Sequence, residues 1–502
     1  MLPCDRIHIS VGAVLQSASV AASREHQRSP ASGNPLQAMN HTEFGEGKND
    51  EKLVQPILVK AVEAERQCQS IYQQLSRRTE LLSGGAEQTL RVSFNWRLRV
   101  GGTRGFDERL LPAFHPVFGV PYVPASTLKG AARAWARRQN ATDIETILGV
   151  LDGKIAKAAK VEFLDAFPTS NCLDVDVATP QWHWDSQGNQ SQVSYQPTPF
   201  PMLSLKQPTL IIGLRPTKPE YAKYVPIVRD WLENALKCGI GSRVSGGYGR
   251  ALGQLATLPK SRSYPFELWT QGMYGSEPPT PQNQYTGKPE FRPTAVRGIL
   301  RYWFRSIALS LYAPAACQTL EDQIFGALGQ QGKVNVSVLL NDTARSSAPF
   351  DYTGRIHLEA VNSAHLTLMS ELLILASHLG GVGRGSRRPL HQLDIDLAKP
   401  IMRGCNWSVD VEGFPLSCDA DQWRSFIQRL RAAFTAIQPT TQTYLSSPGG
   451  LKNERKQDVL DANAQIWLLR SPNLVQPKSN MNWSDPKLRG AALNFDVWRR
   501  SL

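Results

Sequence analysis

The chain has 502 residues, 41% of them apolar and 20% charged, a balance that fits a globular protein with two or three cores rather than a disordered or fibrous one. Its 56 Lys and Arg against 43 Asp and Glu leave a formal charge of +13, which points to an anionic partner without choosing among nucleic acid, membrane surface and acidic protein. No stretch approaches the about 18 apolar residues a bilayer span needs, the amino terminus is broken by His8, Gln16 and Ser17, and the seven cysteines form no Cys-x-x-Cys and no zinc-spaced cluster, so membrane insertion, secretion and a structural zinc are not indicated and reduced thiols in a cytoplasm are expected.

In chain order, residues 18–51 are polar and expected to lie outside any core, with Met39 inside them offering an alternative start. From Glu51 to Leu82, Ile57, Val62 and Leu75 recur among long polar residues up to Ser83-Gly84-Gly85, which predicts a helical appendage that could be removed without loss of the main body. Residues 90–102, LRVSFNWRLRVGG, alternate Val92, Phe94, Trp96, Leu98 and Val100 with polar residues as a half-buried strand does. After a loop rich in Pro and Phe, residues 126–138, STLKGAARAWARR, predict a helix, and residues 225–237 predict another with Ile227, Val228, Trp231, Leu232, Ala235 and Leu236 on one stripe. That helix runs into a glycine-rich loop, GIGSRVSGGYGR (239–250).

A second unit repeats the order from about Leu258–Ser263 onward. It has a strand at 264–269, a basic helix at 294–305 (TAVRGILRYWFR), a strand at 333–340, a helix near 362–379 and the loop GGVGRGSRRPLHQ (380–392). Lys129, Gly130, Arg133, Trp135 and Arg137 correspond to Arg297, Gly298, Arg301, Trp303 and Arg305, so one chain holds two related α+β units. The expected segments are 1–89 (polar stretch and helical appendage), 90–260 (first unit), 261–395 (second unit) and 396–502 (an extension with a helix at 421–436).

In both basic helices the apolar residues fall on one face, Leu128, Ala131, Ala132, Trp135 and Ala136 in the first and Val296, Ile299, Leu300, Trp303 and Phe304 in the second. The cations Lys129, Arg133 and Arg137, or Arg297, Arg301 and Arg305, then line the other face roughly 6 Å apart along the axis. Ordinary surface helices mix acids with bases; these carry three cations in register and no acid, a rail suited to phosphates and therefore to binding that ignores base sequence. In the first glycine loop Arg243 and Tyr248 are candidates for phosphate contact and base stacking. Neither loop has a Walker A or dinucleotide pattern.

VPYVPASTLKGAAR followed by GIGSRVSGGYGR resembles the signature pair of the RAMP superfamily, the RNA-binding subunits of type III CRISPR effector complexes. The first unit, with LDGKIAKAAKVEFLDAFP and LDVDVATP between those motifs, is similar to the sixth subunit of the Cmr (type III-B) complex, and the second, with RPTAVRGILRYWFRS, IFGALGQQGKV and GGVGRGSRRPL, to the first subunit. The resemblance implies a ferredoxin-like, RRM-type βαββαβ domain in each unit. It also implies a non-catalytic subunit that holds the 3′ part of a guide RNA and the guide–target duplex. The partners would be target RNA, other RAMP subunits and a large polymerase-like subunit, with no membrane. The residues that would meet RNA are Ser126, Lys129, Arg133, Arg137, Arg243, Tyr248, Arg250, Arg297, Arg301, Arg305, Arg384, Arg387 and Arg388. The second loop has Pro389-Leu390-His391 where the family closes with Gly-aromatic-Gly, as Gly247-Tyr248-Gly249 does.

Two catalytic alternatives remain. Relatives that cut target RNA use a metal-positioned aspartate in the loop after the first strand, where Asp107 is the only aspartate, and magnesium would be needed only in that reading. Other relatives process guide precursors without metal through a histidine, for which His115, His365, His378 and His391 are available, each better read as structural. Asp165, Asp174 and Asp176 are a weaker metal-site alternative to turn-forming acids.

Overall fold

The computed structural model describes residues 33–40, 51–101, 112–152, 155–178, 183–187, 190–194, 200–253, 260–273, 289–327, 329–341, 349–382, 391–393, 401–411, 419–440, 465–469 and 496–500. The chain divides into two compact units, Met1–Asp176 with Pro201–Ser242, and Val177–Phe200 with Arg243–Leu502.

In the first unit the predicted helical run is two helices, α1 (Glu51–Glu65) and α2 (Gln69–Ser83), divided by a turn in which the Gln67 and Cys68 amides donate to the carbonyls of Ala64 and Glu65. They are more than an appendage. Tyr72 and Leu75 of α2 are buried with Val120 and Phe167. Glu65 is buried too, accepting from the Tyr72 hydroxyl at 2.6 Å and from the amides of Cys172 and Leu173 at 2.9 and 2.8 Å. Burial pushes its carboxyl above the ordinary value, while these hydrogen bonds pull the other way.

The predicted strand at 90–102 is broken. β1 (Thr89–Ser93) and β2 (Arg97–Leu98) enter different sheets, and from Trp96 to Val100 every side chain is buried, including Arg97 and Arg99. Alternation ends there because Arg97 finds its partners inside: its guanidinium donates to Ser204 Oγ at 2.8 Å and pairs with Asp174 at 2.7 Å. Next come α3 (Ala125–Arg138), α4 (Ile144–Leu148), β3 (Val161–Phe163), β4 (Leu173–Ala178), β5 (Phe200–Lys206), β6 (Thr209–Pro216) and α5 (Val225–Cys238). One sheet has the order β1-β6-β3 with antiparallel neighbours, the other β2-β5-β4. α3 and α5 pack on each other and against β3 and β6.

The second unit contains β7 (Ser261–Thr270), α6 (Pro293–Leu311), α7 (Pro314–Phe325), β8 (Val334–Leu340), β9 (Phe350–Ala360), α8 (Ser363–Leu379), β10 (Cys405–Val409) and α9 (Ala420–Thr435). The sheet order is β8-β9-β7-β10, with every neighbouring pair antiparallel. Taken as first to fourth strands, that is 2-3-1-4, the order of a ferredoxin-like βαββαβ domain. No strand is expected from the sequence after 393, yet β10 completes this sheet, and its Trp407 is buried with the indole N–H donating to the Ala376 carbonyl at 3.2 Å. Trp303, Phe304, Phe325 and Phe434 bring α6, α7 and α9 into the same core, with the Phe304 ring 5.5 Å from Phe325 and 5.2 Å from Phe434.

Candidate nucleic-acid interface

The helix α3 forms because Leu128, Ala132 and Ala136 recur at helical spacing and bury, while Ala131 and Trp135 are half-buried. Its first turn is capped from outside, the Ala125 amide donating to Asp165 Oδ1 at 2.7 Å. Ser126 is exposed on that turn. On the basic face the three predicted cations differ. Lys129 is half-buried, its ammonium pKa lowered by loss of solvent and by the neighbouring Arg133. Arg133 donates from one terminal nitrogen to the carbonyls of Leu148 and Gly149, at 3.0 and 2.8 Å, and so holds the carboxyl end of α4. Arg137 is exposed and, among the described residues, has no acid or carbonyl partner. Arg138 beside it is equally exposed, a cation the helical-face count passed over although it ends the same motif.

The second copy departs from the predicted outward rail. Arg305 is 1% exposed, inside the core of the second unit. Arg297 donates to the Phe325 carbonyl at the end of α7, its guanidinium 5.8 Å from the Phe325 ring centroid, and burial followed by the nearby Arg301 lowers its pKa to about 10. Arg301 pairs with the fully buried Glu321 at 2.5 Å and lies 3.8 Å from Asp322, while Trp184 donates its indole N–H to the other Glu321 oxygen at 3.2 Å. The missing acids therefore stand on the next helix, as Glu321-Asp322 of α7. In each unit an arginine of the basic helix closes the carboxyl end of the helix that follows, just before Gly149 or Gly326.

The first glycine loop is also more structural than expected. Gly241 has φ +83 and its α-carbon packs against the Arg99 carbonyl, to which the Ser242 amide donates at 2.8 Å; a side chain there would strike that carbonyl. Farther on, Arg243 is exposed at φ 60, but Tyr248 is wholly buried and cannot stack on a base in this structure. Arg250 is buried as well, 3.5 Å from Glu359. Burial would raise the Glu359 carboxyl, but His357 at 3.3 Å, Arg250 and Asn335 outweigh it and hold its pKa at about 2.

The acids of the metal-site alternative have other tasks: Asp165 caps α3, and Asp174 pairs with Arg97 and, at 3.7 Å, with Lys206. Asp176 is buried. Among the described residues no group of three His, Cys, Asp or Glu side chains is placed to hold a metal ion. His115 sits in an aromatic cluster, 4.6 Å from Phe118, 5.1 Å from Tyr122 and 5.5 Å from Phe167, and desolvation lowers its pKa. His365 lies at the start of α8 beside Asn362, and His378 packs edge-on against Trp423. Asp107, Arg384, Arg387 and Arg388 lie outside the described residues.

Among known proteins, the family model described as the RAMP superfamily matches residues 96–251 and 272–388. Similar solved structures include a type III-B Cmr-beta bound to cognate target RNA, determined by cryo-EM, at 18% identity over 49% of this chain and 87% of that chain, with a TM-score of 0.31. Cmr1 from Pyrococcus furiosus in its apo form is 17% identical over 37% of this chain and 63% of that one, TM-score 0.25. Cmr6 from the same organism is 19% identical over 33% and 96%, TM-score 0.20. No curated protein matches the sequence. The described residues contain no helix long and apolar enough to cross a membrane.

Proposed function

The chain belongs to the RAMP superfamily, matched in two separate stretches that together exceed half its length, and from that premise we propose that it is an RNA-binding, non-catalytic subunit of a type III CRISPR effector complex. It works in the cytoplasm, holds the 3′ part of a guide RNA and the guide–target duplex, and assembles with other RAMP subunits and a large polymerase-like subunit. The observation that carries the RNA-binding reading is α3, a helix with four cations and no acid, of which Arg137 and Arg138 are exposed and Lys129 is half-exposed. With Arg243 they supply positive charge without bases to read, which favours phosphate-following contact over sequence recognition. The second copy contributes less, since Arg297, Arg301 and Arg305 are engaged or buried within their own unit.

Copurification of the full chain from its native host, with sequencing of any bound RNA, tests this reading. The expected result is repeat-derived guide RNA together with further RAMP subunits and a large subunit. Recovery of the chain alone, or with RNA of no common origin, contradicts it.

A further inference from the structure

The first unit carries another basic surface that shares no residue with α3. Lys160, just before β3, and the 3₁₀ turn Pro219–Tyr224 leading into α5 gather three ammonium groups around two tyrosine rings. The rings of Tyr221 and Tyr224 are 6.2 Å apart and tilted by 56°. Lys160 Nζ lies 4.4 Å from the Tyr224 centroid and 5.5 Å from that of Tyr221, and donates to the Tyr224 hydroxyl at 3.1 Å. Lys223 Nζ is 5.3 Å from the Tyr224 centroid and Lys218 Nζ 5.8 Å from that of Tyr221. Lys218 and Lys223 are exposed and both rings are only half-buried, with Pro226 and Ile227 exposed at the start of α5. Glu220 is the single acid of the turn, and the nearby Glu162 is taken by Arg215 at 2.7 Å.

Neither ring is fully buried, so each keeps part of its surface open to solvent. We propose that the platform of Lys160, Lys218, Tyr221, Lys223 and Tyr224 is a second site for single-stranded RNA, with bases stacking on the rings and the ammonium groups meeting phosphates. It rests on the RNA-binding reading and adds to it a stacking site that α3 lacks. In the empty platform the ammonium groups occupy the ring faces, and such an exposed pairing contributes only about two- to five-fold to an equilibrium. A base stacked on an aromatic side chain contributes roughly five- to 150-fold, so exchanging ammonium for base, while the ammonium moves to phosphate, favours the RNA complex. An acidic peptide would use the charges and leave the ring faces as they are.

The test uses the full chain and a fluorescently labelled oligouridylate, with affinity measured against salt. Tyr221→Ala with Tyr224→Ala should weaken binding about ten-fold or more at unchanged helix content by circular dichroism. Lys218→Gln with Lys223→Gln, both at exposed positions that cannot unfold the turn, should lower the log-log salt slope by about 1.4, roughly 0.7 for each phosphate released. Oligonucleotides carrying 4-thiouridine should crosslink within residues 216–227. If the parent binds and both double variants bind as it does, the platform is overturned while RNA binding stands. If the parent binds no RNA, both readings fall. Variants that lose a protein partner but keep parental RNA affinity also overturn the platform.

Discussion

Arg137 and Arg305 occupy the same place in the two copies of one motif and have opposite fates, exposed in α3 and 1% exposed in α6. The difference has a stability consequence that unfolding in urea reads directly. Arg137→Gln should change stability by no more than about 0.5 kcal/mol, as exposed substitutions do. Arg301→Gln, which leaves the fully buried Glu321 without its cation, should cost about 3 kcal/mol. Equal effects would mean that the two helices face solvent alike. Glu359 gives a pH dependence of known sign. Its folded pKa of about 2 lies below the ordinary carboxyl value, so its contribution is fully present above about pH 4.5 and is lost as pH falls toward 2. Glu359→Gln should flatten acid unfolding of the second unit across that window; an unchanged profile would assign the acid sensitivity elsewhere. Asp107→Ala should leave target cleavage by a reconstituted complex intact, and loss of one cleavage site with RNA binding preserved would make the chain a nuclease.

At the scale of elements, α1 and α2 decide whether the amino-terminal segment is dispensable. Removing residues 1–83 would expose Phe167 and Val120, take away the buried Tyr72 and Leu75, and leave the Cys172 and Leu173 amides without the Glu65 carboxylate. Losing those hydrogen bonds and opening that apolar surface to water both disfavour the fold, so residues 84–502 should be insoluble or melt well below the full chain; a product with the parental melting temperature contradicts this. The sequence made α3, α5, α6 and β8 legible through apolar period, because the packing partner of a stripe need not be known for the stripe to be seen, whereas α8, buried on nearly every side, shows no such stripe. What escaped it depends on partners far along the chain. Arg97 reads as the polar side of a strand until Asp174, 77 residues on, is brought to it. Glu65 reads as a solvated helix acid until it meets amides 107 and 108 residues away. Arg301 reads as part of a free rail until Glu321 arrives from the next helix. β10 was missed because its five residues are too short for period alone to mark.

Over the whole molecule, the +13 charge does not lie on two equivalent rails. The basic helix of the second unit is built into its own unit through α7 and the core, whereas that of the first leaves Lys129, Arg137 and Arg138 accessible. Both copies of the motif thus close the following helix with an arginine, Arg133 in the first and, from the position that Lys129 holds there, Arg297 in the second, while exposed charge remains in the first alone. The candidate site was legible as a basic motif, but the division of labour between its copies was not, since exposure is a property of the packed unit. The most direct measurement of the central claim is the affinity of the full chain for guide-length RNA as a function of salt, for the parent beside Lys129→Gln, Arg137→Gln and Arg138→Gln combined, with Arg133 left in place to hold α4. The account predicts a folded variant with weaker binding to unrelated sequences alike and a log-log slope lower by roughly 0.7 for each phosphate that the variant no longer neutralises. An unchanged slope in a folded variant would contradict it.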